Sequence, residues 1–211
     1  MKSAILSDIH GNLPALELVL KHTKFVDRYI ILGDVVNYGP WSNECVDLIE
    51  SLDNAIKICG NHDEYFLNKK LVTNNSLVNN FFQYSFRGFT RFDLLKKYKK
   101  EYFEKNTLYI HTLDNKYIYK DTDLNLNTNL FVGHSHRQFF YKKNNLFIGN
   151  PGSVGQNRVN INKIDYLLHD SKDDSIELKF LNYDVNILIN KMIKKGYPNK
   201  CLNYYLNKIH D

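Results

Sequence analysis

Five short stretches hold the residue types that metal and phosphorus chemistry uses. They are Ser7-Asp8-Ile9-His10-Gly11-Asn12, Gly33-Asp34, Gly60-Asn61-His62-Asp63, His111, and Gly133-His134-Ser135-His136. Carboxylate, imidazole and amide oxygens suit Mn, Fe, Zn or Ni better than a thiolate site would. In Asp8-x-His10 and His134-x-His136 the period-two spacing puts two side chains on the same side of an extended segment. Asp34 stands alone, and its two oxygens could bridge two ions. Two divalent ions about 3.5–4 Å apart form a clamp for in-line attack on phosphorus. Each residue also has a plain structural reading: Asp8 and Asp34 as turn caps, Asn61 as a left-handed turn residue after Gly60. Taken together, those readings need five coincidences. Five of the eight histidines fall in this set, while His22, His169 and His210 lie in ordinary helix, strand and tail contexts.

Something must bring these stretches together, and each follows an apolar run. Lys2–Ser7, Arg28–Leu32 and Ala55–Cys59 read as short buried strands, and Tyr109-Ile110 and Phe131-Val132 lead into the later histidines. Between the first strands lie helical patterns. Asn12 can cap a helix with Pro14 in its first turn and Leu13, Leu16, Val19 and Leu20 on one face; Ser42 can cap another that buries Val46 and Ile49. Alternating strand and helix argue for an α/β fold with parallel crossovers. In such a sheet the carboxyl ends of the strands line the ligand crevice, so all five segments are delivered to one edge.

From about residue 64 to 106 the chain is rich in Phe, Tyr, Lys and Asn, with helical patterns around Leu77–Phe86 and Phe92–Tyr98; we read a helical insert. Short β-like runs follow at Leu108–His111, Lys116–Tyr119, Leu130–Val132, Gln138–Tyr141, Leu146–Ile148, Asp165–His169 and Ile176–Leu181. Lys-rich helices are expected from about 183 to 211. No repeat or linker interrupts the chain, which reads as a single domain over 1–211.

Bulk properties bound the function. With 211 residues and 43% hydrophobic content the chain can bury a real core. No apolar run approaches the roughly 18 residues that span a membrane. A carboxylate at position 8 comes too early for a signal peptide, so a cytoplasmic location and no membrane partner are expected. Cys45, Cys59 and Cys201 are odd in number and widely spaced, which argues against disulfides or a Cys-based metal site. The net charge of +5 suits an anionic substrate. The lysines of 96–105 and 191–208 read as solvated helix faces, and no aromatic-interleaved nucleic-acid motif accompanies them, so nucleic acid is left open. Tyr38, Trp41, Tyr65 and Phe66 follow the motif segments, either lining a pocket or packing the helices.

In order, DIHGN, GDVVNYGP, GNHD, the strand-end His111 and GHSH resemble the calcineurin-like metallophosphoesterase superfamily, over Asp8 to about Val154. The stretch Asn150-Pro151-Gly152-Ser153-Val154-Gly155-Gln156 is similar to its small bacterial and archaeal YfcE-like phosphodiesterase branch. The resemblance implies a four-layer αββα sandwich and hydrolysis of a phosphoester. A diester of nucleotide type is preferred over a monoester or phosphoprotein, and a non-catalytic scaffold ranks lower because His62 and all seven ligands are present. It implies two divalent cations, Mn first, with Fe, Zn, Ni or Mg as alternatives. Asp8, His10 and His136 would hold one, Asn61, His111 and His134 the other, with Asp34 between them and a bridging hydroxide as nucleophile. His62 would protonate the leaving group or stabilise its charge, and Asp63 would orient His62. Asn12 and Tyr38 are candidate substrate contacts, and a homo-oligomer is compatible with the pattern. The chain departs from the family at Thr112, after the strand-end His, and at Ser135. The branch continues from Gln156 with Pro and Arg; here Asn157-Arg158 follows, and no substrate role is carried over to Arg158.

Overall fold

The computed structural model describes residues 1–209. His210 and the last residues of the expected C-terminal helical segment lie outside the described residues. Ten strands and seven helices follow in chain order: β1 Lys2–Leu6, α1 Leu13–His22, β2 Arg28–Ile31, α2 Ser42–Glu50, β3 Ala55–Lys57, α3 Asn61–Leu67, α4 Ser76–Phe86, α5 Phe92–Leu95, β4 Glu101–Glu104, β5 Thr107–Ile110, β6 Asn129–Val132, β7 Gln138–Lys143, β8 Leu146–Pro151, β9 Lys163–Asp170, β10 Ser175–Asn182, α6 Asn186–Lys194 and α7 Asn199–Leu206. The strands form two five-stranded sheets flanked by helices, in the orders β10-β9-β1-β2-β3 and β4-β5-β6-β8-β7. β1, β2 and β3 run parallel, as do β5, β6 and β8. β9 pairs antiparallel with both β1 and β10 in one sheet, and β4 with β5 and β7 with β8 in the other.

The period of two explains how the sheets stack. Ile5, Ile30 and Leu32 point between the sheets and meet Tyr109, Phe131, Phe147 and Leu167. Their neighbours Leu6 and Ile31 point the other way, onto Leu16 and Val19 of α1 and Val46 and Ile49 of α2. Full burial of one such side chain contributes about 1.5–3 kcal/mol, so both faces of the strands are fixed in register. A third cluster joins α4, α6 and α7 through Phe81, Leu188, Met192, Cys201 and Tyr205 and includes Tyr38. The C-terminal helices therefore dock against the helical segment that follows α3. Outside the second sheet, Ile118 packs on Leu130, Val132, Phe139 and Ile148, with Leu113, Leu124 and Leu126 beside it.

Several local expectations shift. α1 starts as expected, with Asn12 Oδ1 accepting the Ala15 N–H at 3.3 Å. Ser42 is the first residue of α2 rather than its cap; its hydroxyl accepts the Asn37 N–H at 3.2 Å. The region 64–106 ends in strand β4, whose Tyr102 and Phe103 pair with Tyr109 and Leu108. The helical patterns expected at Leu77–Phe86 and Phe92–Tyr98 become α4 and a shorter α5 that ends at Leu95. Lys116–Tyr119 is not a strand: Leu113 and Lys116 form only a tight bridge, and Thr112 Oγ1 donates to the Lys116 carbonyl at 2.9 Å. No described helix is long and apolar enough to cross a membrane.

Candidate active site

The loops at the carboxyl ends of β1, β2, β5 and β6, with the segment between β3 and α3, meet at one edge of the stacked sheets. Their conformation is unusual. Asp8, His10, Asp34, His134 and His136 all have φ between 50° and 66°, the left-handed region that non-glycine residues seldom occupy. Such strain costs of order 1–3 kcal/mol per residue and persists only where surrounding contacts over-determine it. The extended-segment argument for the two period-two pairs therefore fails, because their residues are left-handed rather than extended. Asp8 and His10 still reach the same group, but His134 and His136 reach different ones.

Three of the histidines are oriented from behind by backbone carbonyls. Nδ1 of His10 lies 3.2 Å from the Val36 carbonyl, Nδ1 of His111 2.6 Å from that of Leu32, and Nδ1 of His136 2.7 Å from that of Gln156. A carbonyl only accepts, so Nδ1 carries the proton and Nε2 keeps its lone pair. Those lone pairs converge. Nε2 of His10 and Nε2 of His136 are 3.2 Å apart, and Nε2 of His136 is 3.1 Å from Asp8 Oδ1. Asp34 Oδ2 lies 3.8 Å from Nε2 of His10 and 3.3 Å from Nε2 of His111, and Asn61 Oδ1 is 3.0 Å from the same His111 nitrogen.

Asp8 Oδ1 and Asp34 Oδ2 are buried without a hydrogen-bond partner. Their second oxygens are satisfied: Asp8 Oδ2 accepts from Ser7 Oγ and from the His134 N–H, and Asp34 Oδ1 accepts the His62 N–H at 2.8 Å. Buried acceptors facing one another are costly unless a cation lies among them. This donor set fits two divalent cations: Asp8, His10 and His136 form one group, Asp34, His111 and His134 another, and Asp34 reaches toward both. When bound, such cations supply Lewis acidity and a water nucleophile near neutral pH. Burial alone would push Asp8 and Asp34 up. A proton on His136 beside Asp8, or on His111 beside Asp34, outweighs it and holds the carboxyl well below the usual range, the part that a bound cation would play.

A glycine makes the close approach possible. A Cβ on Gly60 would fall 2.2 Å from Asp34 Oδ1 and 2.4 Å from the Asp34 nitrogen. Only glycine lets the start of α3 seat its Asn61 and His62 against the β2 loop.

His62 is buried, and burial pushes its proton affinity down. Asp63 does not hold it. The Asp63 carboxylate accepts the Val35 and Val36 N–H groups with Oδ1 and the Gly60 N–H with Oδ2. It knits the β2 loop to α3, and the sequence-based orienting role is corrected accordingly. Burial and the nearby Asp34 push Asp63 up to about 7, against the Gly60 and Val36 N–H donors. The partner of His62 is Asn37, whose Nδ2 lies 2.6 Å from the ring Nδ1. Nothing local in GDVVNYGP marks Asn37; Ser85 of α4, remote in sequence, completes its environment.

Asn12 is also corrected. Its amide donates to the Gly155 carbonyl at 3.0 Å and to the Tyr183 hydroxyl at 2.8 Å, and it is fully buried, so no group is left for substrate. Tyr38 does line the site, its ring 4.8 Å from that of His10 and 5.1 Å from that of His62. Tyr65 lines it too, whereas Phe66 is core, packed edge-on to Phe82, Phe86 and Phe89. In front of the ligand groups opens a cleft of about 500 Å³ bordered by Tyr38, His62, Tyr65, Tyr117, His134 and Arg158. That volume is in the range of small-molecule sites. Tyr117 stacks flat on His134 at 4.4 Å, and its separation in sequence hid it.

The sequence and the fold match a known class. The sequence profile of the calcineurin-like phosphoesterase superfamily domain matches residues 1–174, and the chain belongs to that family. It is 31% identical to an uncharacterized protein of Methanocaldococcus jannaschii, over 92% of this chain and 93% of that one. A metallophosphoesterase from Sphaerobacter thermophilus superposes with a TM-score of 0.82 at 22% identity, covering 99% of each chain. A symmetrical bis(5'-nucleosyl)-tetraphosphatase of Psychromonas ingrahamii is 37% identical over 71 residues, which are 32% of this chain and 26% of that protein.

Proposed function

We propose that the chain is a dinuclear metal-dependent phosphodiesterase acting on a nucleotide-type substrate. The observation that carries this reading is the pair of buried, unpartnered carboxylate oxygens, Asp8 Oδ1 and Asp34 Oδ2, ringed by imidazole lone pairs. Asp8, His10 and His136 would hold one divalent cation, Asn61, His111 and His134 would hold the second, and Asp34 would serve both. Manganese suits this oxygen- and imidazole-rich set. In the overall reaction the oxygen of water bonds to phosphorus, the bond from phosphorus to the leaving-group oxygen breaks, and that oxygen takes a proton.

His62 borders the cleft beside both ligand groups. Its Nδ1 faces a donor, so its Nε2 carries the proton and points that N–H at the leaving oxygen or the charge growing there. Tyr38 and Tyr65 supply apolar faces for an ester substituent. The nucleotide preference draws support from the likeness to the tetraphosphatase, and the location expected for this activity is the cytoplasm.

The test is hydrolysis of bis-p-nitrophenyl phosphate against p-nitrophenyl phosphate. It uses metal-stripped protein with added Mn, and His62→Ala alongside. Diester turnover that requires both metal and His62 is expected. Preference for the monoester would make the chain a phosphomonoesterase. No turnover from folded, metal-loaded protein would overturn the enzymatic reading.

A further inference from the structure

β10 is an outer strand of the first sheet, and among the described residues no strand pairs with its far edge. Its 8 residues keep an unbroken register with β9 from Ser175 to Asn182, with no proline. The other outer strands are shorter: β3 has 3 residues, β4 has 4, and β7 has 6 and ends in two lysines. Short edges, lysines and bulges are the usual protection against pairing with another chain. β10 instead offers a long, regular edge, and its Lys179 is held by Glu177, Nζ to Oε2 at 2.6 Å.

The direction of its backbone groups follows from the next residue. The Tyr183 N–H donates to the Asn162 carbonyl at 2.9 Å, which continues the β9 register past the strand. Hydrogen-bonded positions alternate along an antiparallel pair, so odd-numbered residues turn their backbone groups to β9. The N–H and C=O groups of Ile176, Leu178 and Phe180 therefore face the open edge. Their side chains share the face that looks between the sheets: Ile176 packs on the inter-sheet cluster, whereas Leu181 packs on the helix side. At the edge that face is uncovered, with Leu178 47% and Phe180 55% exposed. The opposite face carries Glu177 and Lys179.

We propose that this edge receives a second copy of the chain, β10 pairing antiparallel with the partner's β10 about a two-fold axis through Leu178. The strand is complementary to itself in that register. Leu178 meets the partner's Leu178 and Ile176 meets the partner's Phe180, and each such pair exchanges two backbone hydrogen bonds. On the other face Glu177 meets the partner's Lys179, and Lys179 meets the partner's Glu177, so opposite charges alternate across the axis. An axis through Glu177 or through Lys179 would set like charges against each other. The pairing is closed, because each copy uses its one long edge.

Sedimentation of the full chain over a concentration series tests it. Wild type is expected to show a concentration-dependent dimer. Glu177→Lys should raise its dissociation constant about tenfold, because lysines then oppose lysines on both sides of the axis. Adding Lys179→Glu to that variant should restore the dimer. Leu178→Asp should abolish it, and since Leu178 is half exposed the monomer should keep its fold, which circular dichroism checks. Leu178→Cys should be cross-linked to itself by dibromobimane, which joins only thiols a few ångström apart. Phe180→Cys should not, because Phe180 faces Ile176 in this register. Wild type, whose cysteines are Cys45, Cys59 and Cys201, serves as the background. A monomer at every concentration overturns the proposal. So does a dimer indifferent to Leu178→Asp, or one that the second charge reversal leaves as weak as the first. Cross-linking through Phe180→Cys but not Leu178→Cys also overturns it.

Discussion

The carboxamide nitrogen of Asn37 lies 2.6 Å from Nδ1 of His62, and the asparagine is the donor in that contact. The amide cannot be turned round. Its Oδ1 takes the Tyr38 backbone N–H at 2.7 Å and the Ser85 hydroxyl at 2.8 Å, and a backbone N–H can only donate. His62 Nδ1 must therefore accept, which places the proton on Nε2 and disfavours the imidazolium. A histidine held this way meets its substrate as a neutral N–H donor.

Asn37→Asp reverses that contact. A carboxylate accepts from Nδ1, so the imidazolium is favoured. Long-range proton–nitrogen spectra of the zinc-loaded protein should show unprotonated Nδ1 in wild type and protonated Nδ1 in the variant. The variant's rate on a diester with a poor leaving group should gain a limb that falls as pH rises and the imidazolium deprotonates. Asn37→Ala should lose about 10–100-fold in turnover, the usual size for removing a group that orients another. A protonated Nδ1 in wild type would refute the assignment.

His62→Ala should keep its metal content. Turnover on poor leaving groups should fall by about two to four orders of magnitude, and less on p-nitrophenolate, which needs no proton. Equal losses on both classes would remove His62 from the leaving-group step.

Asp34→Ala should lose metal from both groups, because Oδ2 faces His10 on one side and His111 on the other. Metal analysis after gel filtration decides it. One retained equivalent would mean that Asp34 serves a single ion.

Asp165 makes a separate prediction about stability. Burial pushes its carboxyl up to about 6 from an ordinary 3.8, against Lys163 and the Asn157 amide at 2.6 Å. The folded value lies above the unfolded one, so the fold prefers the protonated acid. That contribution is present below about pH 4 and is lost as pH rises through about 6. Asp165→Asn keeps an oxygen for the Asn157 amide and removes the titration. Its melting temperature should exceed that of wild type at pH 8 by several degrees and match it near pH 4. A constant offset at all pH values would refute the cause.

The ligand types were legible because chemistry restricts them. Aspartate, histidine and asparagine clustered after apolar runs mark strand ends, and the parallel strands of the first sheet were legible as those short apolar runs. What the sequence could not show was the partner of each group. Asn37 meets His62 only because Gly60 lets α3 press against the β2 loop, and Ser85 reaches them from α4. Asp63 adjoins His62 in sequence yet turns to three backbone N–H groups, because those donors would otherwise be buried without acceptors. Arg158 and Tyr117 are 41 positions apart, and their contact exists only because the loops that follow β5 and β8 border one cleft. Local sequence determined which atoms could act and that strand ends would carry them. Which atoms face one another was decided by packing, since side-chain contacts across loops depend on distances that no local period encodes.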